Sequence, residues 1–403
     1  GTTPWSSMAG RRRCCSRRAL SITEASVFIA SPARAALAAS PDNPRLLYQL
    51  GRSLAAQERF DDAIAAFEEA FAKGYPIAAF SIGTVYEDNL DEPDYPKAAE
   101  WFGKALDAGF VAAATQLGWL YESGNGVEED PGKAAALYLQ AAEAGDADGQ
   151  VHLGYLYENG IGVPQNAGLA VRWYRAAADQ GNDIGQFDLG LMYASGTGVP
   201  RDDAEAARLM RLSADQDYSS AVLELARYAR DGTGMPLDVV EAEALFRRAI
   251  ALDDSDSVVR LAENELAWMW AIGRKNLDEG ATLVADALKR MPEDHEDRAA
   301  VLDTAAWIAH LRGRDDEALP MMEQAVAAEG DYAPFHDRLG DILAALGRRD
   351  EAVASWKRAI NLPDPAGDDL WSRAAVYLKI SPPGEDSVSG DRGSSEPSIS
   401  PSR

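Results

Sequence analysis

Four histidines, two adjacent cysteines and a set of Gly-x-Gly loops are the residues of this 403-residue chain whose types could carry chemistry. Imidazole and thiolate are the usual ligands of transition metals, but a metal site needs several of them at one-turn or short-loop spacing. His152, His295, His310 and His336 have no such spacing to one another or to a cysteine, and each is expected as a surface or groove side chain. Cys14 and Cys15 fall in the basic run Arg11-Arg12-Arg13-Cys14-Cys15-Ser16-Arg17-Arg18. Without a histidine close by, that pair points to neither a metal site nor a redox centre. Gly124-Asn125-Gly126-Val127, Gly160-Ile161-Gly162-Val163 and Gly196-Thr197-Gly198-Val199 invite comparison with phosphate-cradling loops. A dinucleotide loop needs a preceding strand and a third glycine, and a P-loop needs Gly-Lys-Ser/Thr. Neither occurs here, so no nucleotide, cofactor or metal is expected. No Gly-x-Ser-x-Gly elbow marks a nucleophile, and nothing singles out one carboxylate pair among the many. A catalytic site in this chain is not expected.

The loops matter instead for their period. Leu117-Gly118-Trp119-Leu120-Tyr121 returns 36 residues later as Leu153-Gly154-Tyr155-Leu156-Tyr157, and again as Leu189-Gly190-Leu191-Met192-Tyr193. The glycine pair recurs in phase, ending with Gly232-Thr233-Gly234-Met235. Ala134, Ala170, Ala206 and Ala242 follow, then the bulky Tyr138, Tyr174, Met210 and Phe246. Repetition at this length marks an array in which each unit buries its apolar face against its neighbours.

Within one unit, Ala113, Leu117, Gly118 and Tyr121 share a helical stripe. Glycine then breaks the helix, because it takes positive φ at no steric cost. The start of the second helix is signed by Asp130-Pro131, and by Asp202 with Glu205 and Asp238 with Glu241 at capping-box spacing. Gly145 and Gly181 end it; Asp217 and Asp253 stand at those positions in later units. One helical hairpin per unit follows.

These elements, Leu-Gly-x-x-Tyr, Gly-x-Gly-Val and Tyr-x-x-Ala-Ala-x-x-Gly, resemble the Sel-one-like repeat, a relative of the tetratricopeptide repeat. Three units match closely, a fourth has Ala229 for its tyrosine, and an earlier one (Ile82-Gly83, Tyr86, Ala98, Trp101-Phe102, Ala105, Gly109) has a loop one residue shorter without the glycine pair. Leu50-Gly51, Leu54, Phe60, Ala63, Phe67 and Ala70 resemble a tetratricopeptide repeat proper. So do Leu339-Gly340, Leu343, Gly347, Ala352, Trp356 and Ala359, with a further unit from Ala305 to Ala325 and a weaker one from Leu266 to Met291. The resemblance implies an all-α fold, a right-handed α/α superhelix of nine stacked hairpins between about Asn43 and Pro363. The expected organisation is 1–42 an undefined N-terminal segment, 43–75 one tetratricopeptide-like repeat, 76–254 five Sel-one-like repeats, 259–365 three tetratricopeptide-like repeats, 368–380 a closing helix (Leu370, Trp371, Ala374 and Leu378 apolar) and 381–403 a disordered tail. The repeats run on without a long linker, and Leu252 to Val258 is the seam at which the array would divide.

A net charge of −26 argues against nucleic acid and anionic lipid as partners. No apolar run approaches the length of a membrane span. Ser16-Arg17-Arg18-Ala19-Leu20 has the outline of a twin-arginine export signal, but Glu24 interrupts its apolar region. A soluble protein of the cytoplasm is therefore expected, with a periplasmic or exported one as the alternative.

The resemblance also implies that the first helix of each pair lines a concave groove. Its first column would be Thr115, Val151, Phe187 and Leu223; its second, Trp119, Tyr155, Leu191 and Arg227. Glu122, Glu158, Ala194 and Arg230 come one turn on. Trp307 with His310 and Asp303, then Asp337 and Asp341, take these places in the C-terminal repeats. Aromatic and arginine side chains are the usual anchors of an interface. The expected function is a non-enzymatic scaffold or adaptor that holds a peptide or partner helix, with basic segments suited to the charge. The competing reading of Trp119 and Phe187 is that they fill gaps between repeats. The alternative functions are the regulatory or recruiting arm of an enzyme whose catalytic domain lies upstream of Gly1, and a glycan-cleaving superhelix, which would need a sheltered acid.

Overall fold

The computed structural model describes residues 40–90, 92–252, 255–363 and 372–380. Cys14, Cys15, Asp253, Leu370, Trp371 and the segments 1–39 and 381–403 lie outside them. The described residues hold nineteen helices in stacked adjacent pairs and no strand. The fold is all-α, an array of helical hairpins as the period implies. The chain divides into two units, 1–258 and 259–403.

The first unit contains α1 (Pro44–Ala55), α2 (Phe60–Ala72), α3 (Ile77–Thr84), α4 (Tyr95–Asp107), α5 (Ala113–Ser123), α6 (Pro131–Glu143), α7 (Ala147–Asn159), α8 (Ala167–Asp179), α9 (Asp183–Ser195), α10 (Asp203–Ala214), α11 (Ser219–Asp231) and α12 (Val239–Leu252). Each helix packs on the next. In the unit without the glycine pair, the last turn of the first helix is π-helical, Val85–Asn89 following α3. Pro131 sits at the first position of α6, and Asp130, Asp202 and Asp238 each accept a backbone N–H of the first turn. The reciprocal half of the capping box is replaced by ion pairs, because Glu205 turns to Arg208 and Glu241 to Arg211. Gly145 and Gly181 take φ of 90° and 83°, and Asp217 takes 63° in the same place.

Packing follows the repeat. Ala134, Ala170, Ala206 and Ala242 are fully buried, as are Tyr138, Tyr174, Met210 and Phe246. The glycine of the first helix lies under the bulky residue of the second: a Cβ on Gly154 would stand 2.7 Å from the Tyr174 ring. Equivalent glutamines bond within each hairpin, with Gln180 Nε2 donating to Gln150 Oε1 at 2.8 Å and Gln216 Nε2 to Gln186 Oε1 at 2.9 Å. Equal offsets in both bonds show that the two hairpins close in the same way.

The second unit takes in most of α13 (Asp256–Ile272), then α14 (Leu277–Lys289), α15 (Arg298–Leu311), α16 (Asp315–Ala328), α17 (Ala333–Ala345), α18 (Arg349–Asn361) and the closing α19 (Arg373–Ile380). Met322 and Trp356 are its counterparts of Tyr138, and both are buried.

Candidate interaction surface

The 36-residue columns on the first helices separate into a buried and an accessible set. Thr115, Val151, Phe187 and Leu223 are all buried, with Thr115 Oγ1 donating to Asp146 at 2.6 Å and Phe187 meeting Tyr218 edge-on at 5.2 Å. That column fills the space between successive hairpins and offers no free face to a partner. The gap-filling reading therefore describes Phe187.

The second column is mixed. Tyr155 is buried, Trp119 is half-buried with its ring 6.1 Å from Tyr95, and Leu191 is 40% exposed. Arg227 is half-buried and pairs with Glu224 at 2.6 Å. One turn on, Arg230 pairs with Asp231 at 2.6 Å, so both expected arginines stand beside their own carboxylates. Exposed apolar and half-buried aromatic area on the first helices thus runs from Trp119 to Leu191, interrupted by Tyr155.

Glu122 and Glu158 do something that single-residue reading of the sequence does not reveal. Each accepts the phenolic hydrogen of a fully buried tyrosine, Tyr138 and Tyr174, at 2.7 Å. A buried hydroxyl needs an acceptor, and a half-exposed carboxylate supplies one without being buried itself. The signal was present in the repeats: where Met210 and Phe246 replace tyrosine, Ala194 and Arg230 replace glutamate.

The histidines sit apart. His152 stacks on Tyr138 at 4.7 Å, and His310 stacks on the half-buried Trp307 at 4.9 Å while bonding Asp315 at 2.5 Å. His295 Nδ1 accepts the Asp297 N–H. His336 is buried, contrary to its expected surface or groove place, and Nε2 donates to the Gly330 carbonyl at 2.9 Å. Among the described residues no group of His, Cys, Asp and Glu is arranged to hold a metal ion, and no helix is long and apolar enough to cross a membrane.

In the second unit the first-helix face carries charge that is already engaged. Arg338 lies over the Trp268 ring at 4.6 Å and pairs with buried Asp303 at 2.6 Å. It thereby reaches from α17 past α15 to α13. Asp337 and Asp341, expected in the groove, hold Lys379 of α19 between them at 2.7 Å each. Burial lifts the Asp337 carboxyl above the usual carboxylate range, against the opposing pull of Lys379.

The Sel1 repeat model matches residues 111–146, 147–182, 184–218 and 219–254. Tetratricopeptide repeat models match 30–76, 48–110 and 333–364. The segment expected as a first Sel-one-like unit therefore falls within a tetratricopeptide match. A search of curated proteins gives no match. Among solved structures, the chain is similar to a protective antigen of uropathogenic Escherichia coli with an SLR fold, at 22% identity over 82% of this chain and 79% of that one, with a TM-score of 0.54. It is also similar to a Sel1 repeat protein of Oxalobacter formigenes, at 27% identity over 62% of this chain and 98% of that one, with a TM-score of 0.53. The glycine-loop period, the stacked hairpins and these matches agree: the chain is a repeat protein that carries four Sel1 repeats flanked by tetratricopeptide repeats.

Proposed function

We propose that the chain is a non-catalytic adaptor that holds a protein segment against the first helices of its Sel1 repeats. Sel1 and tetratricopeptide repeats are protein-interaction repeats in general. The observation that carries the reading is Leu191. It stands 40% exposed on α9, in phase with half-buried Trp119, although its neighbours on the same helix, Phe187 and Met192, are buried. Apolar area left open in an otherwise packed register suits a partner better than the fold alone does. Glu158 and Asp148 lie half-buried on α7 beside this strip, and with a net charge of −26 they favour a partner segment of basic character. A photoreactive residue at position 191, introduced in the native cell, tests the reading. Adducts to one protein from position 191, and none from exposed Val240 on α12, are the expected result. No adduct from 191, or the same adducts from both positions, would overturn it.

A further inference from the structure

The closing helix α19 meets its neighbours in a distinctive way. Among its described side chains Val376 is fully buried, while Tyr377 is 55% exposed. Ile380 packs against the same apolar cluster as Val376, and further contacts are polar. Arg373 donates to the carbonyls of Ile360 and Leu362, Arg349 donates to the Lys379 carbonyl, and Lys379 Nζ sits 2.7 Å from both Asp337 Oδ1 and Asp341 Oδ2. The pocket for that ammonium is shaped without α19. Trp356 Nε1 donates to the second oxygen of Asp341 at 3.1 Å and to the Asp337 carbonyl at 3.2 Å, and all three residues belong to the α17–α18 hairpin. Two carboxylates at charge-assisted distance match an ammonium with three donors. Val376 and Lys379 are one helical turn apart, the spacing at which a helix presents two anchors to one surface.

We propose that Asp337 and Asp341 form a lysine seat for a helical segment of a protein partner, and that Lys379 occupies it from within the chain, making α19 an autoinhibitory strap. The proposal rests on the reading that the chain binds a basic protein segment, and it places a second contact for such a segment in the tetratricopeptide unit. A helix that offers the same two anchors competes with α19 for the seat, and the outcome is set by the difference in their affinities for it.

The test uses the full chain and a labelled, end-blocked peptide of the sequence of residues 372–380. Lys379→Met should bind this peptide about tenfold more tightly than the unsubstituted chain does, because its own strap has lost one anchor. Adding Asp337→Asn and Asp341→Asn should abolish the gain, and a peptide carrying methionine for its lysine should bind neither protein. In the unsubstituted chain, saturating peptide should speed amide exchange across residues 373–380 while α17 and α18 keep their protection. Equal affinity for the unsubstituted and Lys379→Met chains, a gain that survives loss of both carboxylates, or a strap that stays protected under bound peptide would each overturn the proposal. So would a Lys379→Met chain that is folded by circular dichroism and binds no peptide. The seat is read from peptide affinity and the Sel1-repeat surface from adducts at position 191, so failure of the one and failure of the other give separate results.

Discussion

Tyr138 and Glu122 are bonded across a hairpin, phenol to carboxylate, and Tyr174 and Glu158 repeat the bond one unit later at the same 2.7 Å. The two members sit in different helices, with the ring under the glycine of the first helix and the hydroxyl emerging where the carboxylate can reach it. Tyr138→Phe should cost about 1–2 kcal/mol, the worth of a charge-assisted bond offset by rehydration of a half-exposed glutamate. Glu122→Gln keeps an acceptor and should cost less. The double change Tyr138→Met with Glu122→Ala copies the third repeat, and should cost less than the sum of its parts, with a coupling of roughly 1 kcal/mol. Denaturant melts of the four proteins measure the cycle. Additive costs would mean that the bond contributes nothing.

The two glycines of each loop differ in what they tolerate. Gly160 ends α7 with φ 71°, and a Cβ there would stand 3.2 Å from Gln165 Cβ, a contact that a shift of a few tenths of an ångström relieves. Gly162 has φ 66°, but its Cβ would stand 2.2 Å from the Pro131 carbonyl oxygen, at the start of the preceding repeat's second helix. Gly160→Ala should therefore cost about 1 kcal/mol, mainly for backbone conformation. Gly162→Ala should cost at least twice as much, since backbone must move between repeats. Equal melting midpoints for the two variants would remove the inter-repeat contact from the account.

The period made the hairpins, their caps and the glycine conformations legible, because each rests on local chemistry that one helix turn or loop decides. Three aspects of the surface were not legible. Thr115, Tyr155 and Phe187 occupy groove phases but are covered by neighbouring hairpins, and a column read from one helix says nothing about how closely the next one stacks. Arg227 and Arg230 are expected in the groove, and each pairs with a carboxylate of its own helix, Glu224 one turn away and Asp231 next along the chain, which a column of first-helix positions does not reveal. Lys379 was hidden because its contact with Asp337 and Asp341 spans about 40 residues and belongs to no repeat.

Asp337 gives a pH dependence whose sign follows from its environment. Burial raises its folded-state pKa, outweighing Lys379 and Arg338, while Asp341 adds to the rise. A carboxyl raised in the folded state binds its proton more tightly there than in the unfolded chain. Its stabilising contribution is thus complete below the unfolded value near pH 4 and is lost as pH rises through the raised folded value. Relative to Asp337→Asn, the unsubstituted chain should gain stability as pH falls through that window. A difference between the two proteins that stays constant with pH would remove Asp337 as its source.

Leu191 and Phe187 lie one turn apart on α9 and should answer differently to truncation. Phe187 is buried against Tyr218, so Phe187→Ala should cost about 3 kcal/mol of stability through the cavity it leaves. Leu191 is 40% exposed, and Leu191→Ser should change stability by less than about 0.5 kcal/mol. If the first helices of the Sel1 repeats hold the partner, Leu191→Ser should weaken binding by about 1 kcal/mol or more, roughly fivefold. Phe187→Ala should leave the affinity of the folded fraction much less affected. Trp119→Ala should show both effects, since its ring packs near Tyr95 and remains half-exposed. Melting curves and titrations with the cross-linked partner, on the same three variants, separate the contributions. Affinity that tracks stability across all three would assign this face to folding and move the binding surface elsewhere.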